Sequence, residues 1–156
     1  MWQEASGMPE KIIYMPIGFV ENKFKKIEDP KEIRNATSIL AIDEKFLAAL
    51  DGLDRFRNLV VIYHMNRTPI YQEAVHPMGD SSIPRRGVLA TRSPHRPNPI
   101  GLTVVELLSI ERSRITVTGL DALDGTPILD IKPYMEHFDS PQGLQRERDP
   151  NYRPRE

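Results

Sequence analysis

The chain has 156 residues, 39% hydrophobic and 28% charged, with a formal net charge of −1. That is the size and composition of one globular domain, not of a disordered acidic chain or of a protein basic enough overall to attract polyanions. The absence of cysteine excludes disulfides, thiolate metal sites and a cysteine nucleophile, and no apolar run approaches the ~20 residues a membrane span needs.

Short β-branched and aromatic runs separated by turn residues predict a mainly β fold. Residues 12–20 read as a first strand, with Gly18 marking a bulge or a close approach. Residues 37–42 read as a second. Asp43 then caps a short helix over 44–50, with Phe46, Leu47 and Leu50 on its apolar face and Gly52 at its end. The segment 58–65 (NLVVIYHM) is apolar nearly throughout, like a strand buried on both faces, and 70–75 follows as its neighbour. Pro77, Gly79, Asp80, Ser81, Ser82 and Pro84 make 76–86 a loop. Further strands fall at 87–91, 101–110, 115–118 and 128–131. So many short strands around one small helix predict a small closed or nearly closed β-barrel, which removes exposed sheet edges. From Phe138 on the chain turns polar and charged. The expected division is an N-terminal extension over 1–11, a barrel domain over 12–139 and a flexible charged tail over 140–156.

Two stretches carry candidate chemistry. Between Asp80 and Glu106 there is no acidic residue, yet Arg85, Arg86, Arg92 and Arg96 all fall there, a local patch suited to phosphate. Within it, TRSPHRPNPIG holds Pro94, Pro97 and Pro99, which cannot donate to a sheet ladder and bias Ser93, Arg96 and Asn98 towards extended backbone. If the run winds with three residues per turn, Arg92, His95 and Asn98 share one stiff edge. The other stretch is GLDALDGTPILDIKPY, with Asp124-Gly125 as a turn signal. Beyond the turn, Asp130, Lys132 and Tyr134 alternate with Ile131 and Pro133, so an extended segment shows them on one face. Asp130 and Lys132 equally suit a surface ion pair.

The four histidines, His64, His76, His95 and His137, lack zinc-ligand spacing, and no metal is expected. No glycine-rich Rossmann fingerprint, P-loop or GxSxG elbow is present. The first ten residues lack the basic and apolar regions of a signal peptide, so a cytoplasmic protein is expected.

Together GVLATRSPHRPNPIGLTVVEL and GLDALDGTPILDIKPY resemble the two signature motifs of the TsaA-like (TrmO) family of tRNA adenosine N6-methyltransferases. IGFV, DPKEIRNATS and LVVIYHMNR resemble its shorter members. The likeness runs from about residue 12 to 139. It implies a non-Rossmann β-barrel methyltransferase, a homodimer, that binds S-adenosylmethionine near the subunit interface. It also implies methylation of N6 of threonylcarbamoyladenosine beside the anticodon of tRNA. Carried over by position, His64, Met65, Arg92, Leu102 and the turn Asp121, Ala122, Leu123, Asp124 and Gly125 would hold the cofactor. The loop 29–35 would approach it. Asn98 and Asp130 are candidates for accepting the N6 proton or its hydrogen bond. Arg85, Arg86 and Arg96 suit tRNA phosphates, and His95 or Tyr134 suit stacking on a displaced base. Well-known bacterial members continue beyond the barrel, whereas this chain ends soon after KPY, which bears on tRNA specificity. Two other readings compete: a noncatalytic nucleotide- or RNA-binding barrel, and a small-molecule methyltransferase on the same fold.

Overall fold

Alternation along the strands decides the architecture. A computed structural model describes residues 11–26, 29–67 and 70–140. In chain order its elements are β1 (Gly18–Glu21), α1 (Pro30–Asn35), β2 (Thr37–Ile42), β3 (Asn58–His64), β4 (Ala74–Val75), β5 (Arg86–Gly87), β6 (Ile100–Glu111), β7 (Arg114–Thr118), β8 (Pro127–Pro133) and α2 (Glu136–Asp139). Every second residue turns inward. Leu40 and Ile42 of β2, Leu59, Val61 and Tyr63 of β3, Ile115 and Val117 of β7 and Ile128 of β8 meet in one core. The strands close as β1-β2-β7-β6-β3-β8, all neighbours antiparallel, so the predicted closed barrel is what forms. β4 and β5 make a separate two-stranded sheet. Gly18 is a close approach, since a Cβ there would stand 2.3 Å from the Ala41 carbonyl oxygen.

Several expected boundaries shift. The first strand begins at Gly18, not residue 12, because β8 reaches only Gly18 and Phe19 and Pro16 has no N–H to pair. Ile12, Ile13, Tyr14 and Met15 stay exposed. The expected strand at 70–75 shrinks to β4 and is not the neighbour of β3, which pairs with β6 and β8; β4 pairs instead with β5, which overlaps the expected strand at 87–91 only at Gly87, and Val88–Ala90 is a 3₁₀ turn. The helix over Glu44–Leu50 is 3₁₀ rather than α, capped as expected by Asp43, whose carboxylate accepts from the Lys45 amide. Gly52 follows it at φ 78°. α1 was not anticipated, although Asp29 caps it with Pro30 in its first turn, a signal present in the sequence. Expectations for residues 1–10 and 141–156 lie outside the described residues.

Two bulges matter for the site. In β8 the register slips between Tyr63↔Ile128 and Ile62↔Asp130, so Ile128 and Ile131 both serve the core and Asp130 turns outward. In β6 it slips between Leu107 and Ser109.

Candidate functional site

The registers put three connections on the same rim of the barrel. They are the β1–β2 connection carrying α1, the β7–β8 connection over 119–126, and the long β3–β6 excursion over 65–99. The motif residues singled out in the sequence lie mostly on the latter two. β6 reaches towards this rim beyond β7, because their pairing begins only at Glu106. Met65 donates its amide to the Pro99 carbonyl at 2.8 Å, and Leu107 donates to Arg57. Odd-numbered residues of β6 therefore bond to β3, and the N–H and C=O of Leu102 and Val104 point to the other edge, which β7 does not cover. Arg92 donates to the Leu102 carbonyl at 2.9 Å on that edge.

The turn 119–126 is braced from several sides. Tyr63, 5% exposed, donates its hydroxyl to the Asp121 carbonyl at 2.8 Å and lies 3.1 Å from the Thr103 hydroxyl. Burial pushes this phenol's pKa up, and the Thr103 hydrogen bond opposes the shift. Arg34 of α1 donates to the Asp121 carboxylate at 2.7 Å. The Asn22 amide donates to Asp124 at 3.0 Å, and the Lys25 ammonium pairs with the same carboxylate. These partners, Lys25 foremost, hold the Asp124 carboxyl below the usual range. Gly125, at φ 76°, donates to the Val20 carbonyl at 2.7 Å.

The proline-rich segment is bent rather than wound as one continuous threefold helix. Its i→i+2 bonds, Arg96 amide to Pro94 and Ile100 amide to Asn98, are both 2.7 Å. Arg92 and His95 accordingly engage different segments. The His95 ring lies 3.1 Å from the Ile70 carbonyl, while Asn98 is exposed. Arg96 turns back on its own loop and donates to the Thr91 carbonyl at 2.8 Å, with Val88 and Ser93 nearby. Arg85 donates to the Ala74 carbonyl.

The rim thus gathers His64, Met65, Arg92, Asn98, Leu102 and the residues from Asp121 to Gly125. Two candidates fall elsewhere. Asp130 lies on the outer face two strands from Leu102, roughly 10 Å at the ~4.8 Å strand spacing, and pairs with Lys132 at 2.7 Å. That pairing raises the Lys132 pKa. Tyr134 donates its amide to Asn58 at the opposite end of the barrel. Sequence reasoning missed Tyr63 and Asn22, one hidden in an apolar strand and the other in a lysine-rich loop. The shallow hollow at the far end, lined by Leu50, Asp54, Ile110 and Arg112 among others, gathers no comparable set of groups. Among the described residues no three His, Asp or Glu side chains gather to hold a metal, and no helix is long and apolar enough to cross a membrane.

The groups that the two motif stretches bring together thus lie on one rim of a packed barrel, outside its core, and make that mouth the candidate site. Residues 19–140 match the family model described as the tRNA-methyltransferase O N-terminal domain, and the chain belongs to that family. It is 42% identical over 137 residues to an S-adenosyl-L-methionine-binding protein of Archaeoglobus fulgidus, covering 86% of this chain and 97% of that one. It is 37% identical over 139 residues to the mouse tRNA (adenine(37)-N6)-methyltransferase, covering 83% of this chain but only 32% of the mouse protein. A crystal structure of TrmO superposes with a TM-score of 0.69 at 31% identity, over 87% of this chain and 63% of that one. The chain therefore spans less than two thirds of that solved TrmO chain and nearly the whole of the archaeal relative.

Proposed function

We propose that this protein is an S-adenosylmethionine-dependent methyltransferase acting on N6 of adenosine in tRNA, with threonylcarbamoyladenosine beside the anticodon as its target. The observation that carries this reading is the uncovered β6 edge, Leu102 and Arg92, facing a braced Asp121–Gly125 turn in a barrel of this family. The groups suit the cofactor. The Leu102 N–H and its carbonyl, which accepts from Arg92, offer a donor and an acceptor to an adenine ring, and the Asp121 carboxylate, held by Arg34, suits a ribose or an amino group. His64, Met65, Arg92, Leu102 and the turn would hold the cofactor. S-adenosylmethionine supplies a methyl group already activated as a sulfonium, so the protein's task is position and electrostatics. Asn98, exposed on the same proline-rich segment as Arg92, accepts a hydrogen bond from the adenine N6 and orients its lone pair. Asp130 is given no such role, because a base must come within about 3 Å of its proton. Arg85 and Arg86 contact phosphate, and His95 stacks on the displaced base. Arg96 serves the loop itself.

The active form proposed is a homodimer in the cytoplasm, built from the barrel domain over 12–139. On the outer face Ile100, Leu102 and Val104 are each close to 45% exposed, beside Val60 and Ile62 across the β3 ladder. Such an apolar stripe suits a second copy. Val104→Glu should reduce the mass in light scattering from twice the 17.9 kDa chain to one chain, and an unchanged dimer would remove this face from the interface. Transfer of a tritiated methyl group from the cofactor to tRNA, followed by nucleoside analysis, tests the function. Label should appear on N6 of threonylcarbamoyladenosine and not in tRNA lacking that modification. Binding without transfer to any tRNA would leave the noncatalytic barrel, and transfer only to small acceptors would leave the small-molecule enzyme.

A further inference from the structure

One side chain from the β1–β2 connection ties together three parts of the rim. The Asn22 carboxamide donates to the Ser38 hydroxyl and to the Ala122 carbonyl, both at 3.0 Å. Its oxygen accepts from the Phe24 amide at 2.9 Å. The backbone amide of the same residue donates to Asp124 at 3.0 Å. Ser38 is 1% exposed and Ala122 3% exposed, so both acceptors sit on buried residues. Only a carboxamide of this length has two donors and an acceptor set for those partners. Aspartate would aim oxygen at the Ala122 carbonyl, and serine is too short.

We propose that Asn22 is a positioning residue that sets cofactor affinity by locking the Asp121–Gly125 turn. This rests on the reading above that the turn holds S-adenosylmethionine. Tyr63 and Arg34 fix the turn at Asp121, and Asn22 fixes it at Ala122 and Asp124. A turn fixed at three successive points is preorganised, and its ordering no longer weighs against binding. Asn22 acts through the turn, so its loss raises the cofactor concentration needed and leaves turnover at saturation nearly unchanged.

The test uses the full chain with Asn22→Ala and Asn22→Asp, and Ser38→Ala as a control that spares the bond to Ala122. Both Asn22 variants should raise the KM for S-adenosylmethionine by about tenfold or more, with kcat at saturation within about threefold. Amide hydrogen exchange should quicken at Asp124, Gly125 and Thr126 and stay slow in β3. Ser38→Ala should keep the wild-type KM. An unchanged KM in the folded Asn22 variants, or exchange that quickens equally in β3, overturns the proposal and leaves Asn22 a general staple of the fold. If Asn22→Ala does not fold, the isosteric Asn22→Asp decides. If the wild-type chain binds no S-adenosylmethionine, the proposed function fails by itself. Unchanged exchange at 124–126 in the variants would then show separately that Asn22 does not lock the turn.

Discussion

Gly101 is where the barrel core and the rim depend on the same space. A Cβ at this position would stand 2.2 Å from Cε2 and 2.4 Å from Cζ of Tyr63, whereas carbon atoms in contact settle near ~3.5–4.0 Å. The ring has nowhere to go. Tyr63 is 5% exposed, and its hydroxyl is held at the Asp121 carbonyl and beside Thr103. Gly101→Ala restricts the unfolded chain, which favours folding by about 0.4–1 kcal/mol. Against that, overpacking costs ~1–3 kcal/mol and the loss of the Tyr63 hydrogen bond about 1 kcal/mol more. The overlap wins, by a net of roughly 1–3 kcal/mol. At about 2–4 °C per kcal/mol for a chain of this size, Tm should fall by roughly 2–12 °C. Thermal melts of Gly101→Ala, alone and on a Tyr63→Val background, measure this. On the Tyr63→Val background the alanine should cost nothing or stabilise, because the ring it strikes is gone. A Gly101→Ala protein that melts at or above the wild-type temperature would refute the packing argument.

Three further outcomes follow from the same geometry. The phenol of Tyr63 has a pKa raised by burial, so its contribution to stability is complete below the unfolded value near ~10 and is lost as pH rises from there through the folded value. Urea midpoints should therefore decline on the alkaline side in the wild type and decline less in Tyr63→Phe. Asp130→Asn should leave kcat within about twofold and stability within ~1 kcal/mol, since it breaks only an exposed pair with Lys132, and a hundredfold loss of turnover would restore Asp130 as the base. Arg92→Ala should raise the cofactor dissociation constant with Tm within a few degrees, because its bond to Leu102 is exposed; unchanged affinity in calorimetry would remove Arg92 from the site.

The barrel was legible because many short β-branched and aromatic runs are separated by turn residues, although 58–65, apolar nearly throughout, did not show that Leu59, Val61 and Tyr63 are the residues that face the core. The segment from Arg92 to Asn98 and the turn Asp121–Gly125 lie at the rim, whereas Asp130 and Tyr134 of the second stretch do not. Three kinds of information were not legible. Strand ends depend on a neighbour: residues 12–16 have strand composition but no partner ladder, the last backbone bonds being those of Ile17 to Ile128 and Asp43. A bulge resets parity, so Asp130 and the core residue Ile131 could not be assigned to faces by counting alone. Hydrogen-bond partners of long side chains are set by tertiary packing, which is why Arg96 serves its own loop and why Asn22, 100 positions from Ala122, gave no local signal.

β1 enters and β8 leaves the barrel at the end opposite the mouth. Gly18 starts one strand there, and Pro133, paired with Leu59, finishes the other. Polypeptide joined to either side of the barrel thus starts from the end that holds the 3₁₀ helix Glu44–Leu50 and the Glu111–Arg114 hairpin rather than the braced loops. Such a layout tolerates grafting. A second domain, an affinity tag or a fluorescent reporter can be appended behind the barrel while the mouth keeps its loop lengths, whereas an insertion between Ala122 and Gly125 would have to break the clamps of that turn. The architecture separates the part of the molecule free to vary in length from the part that is not.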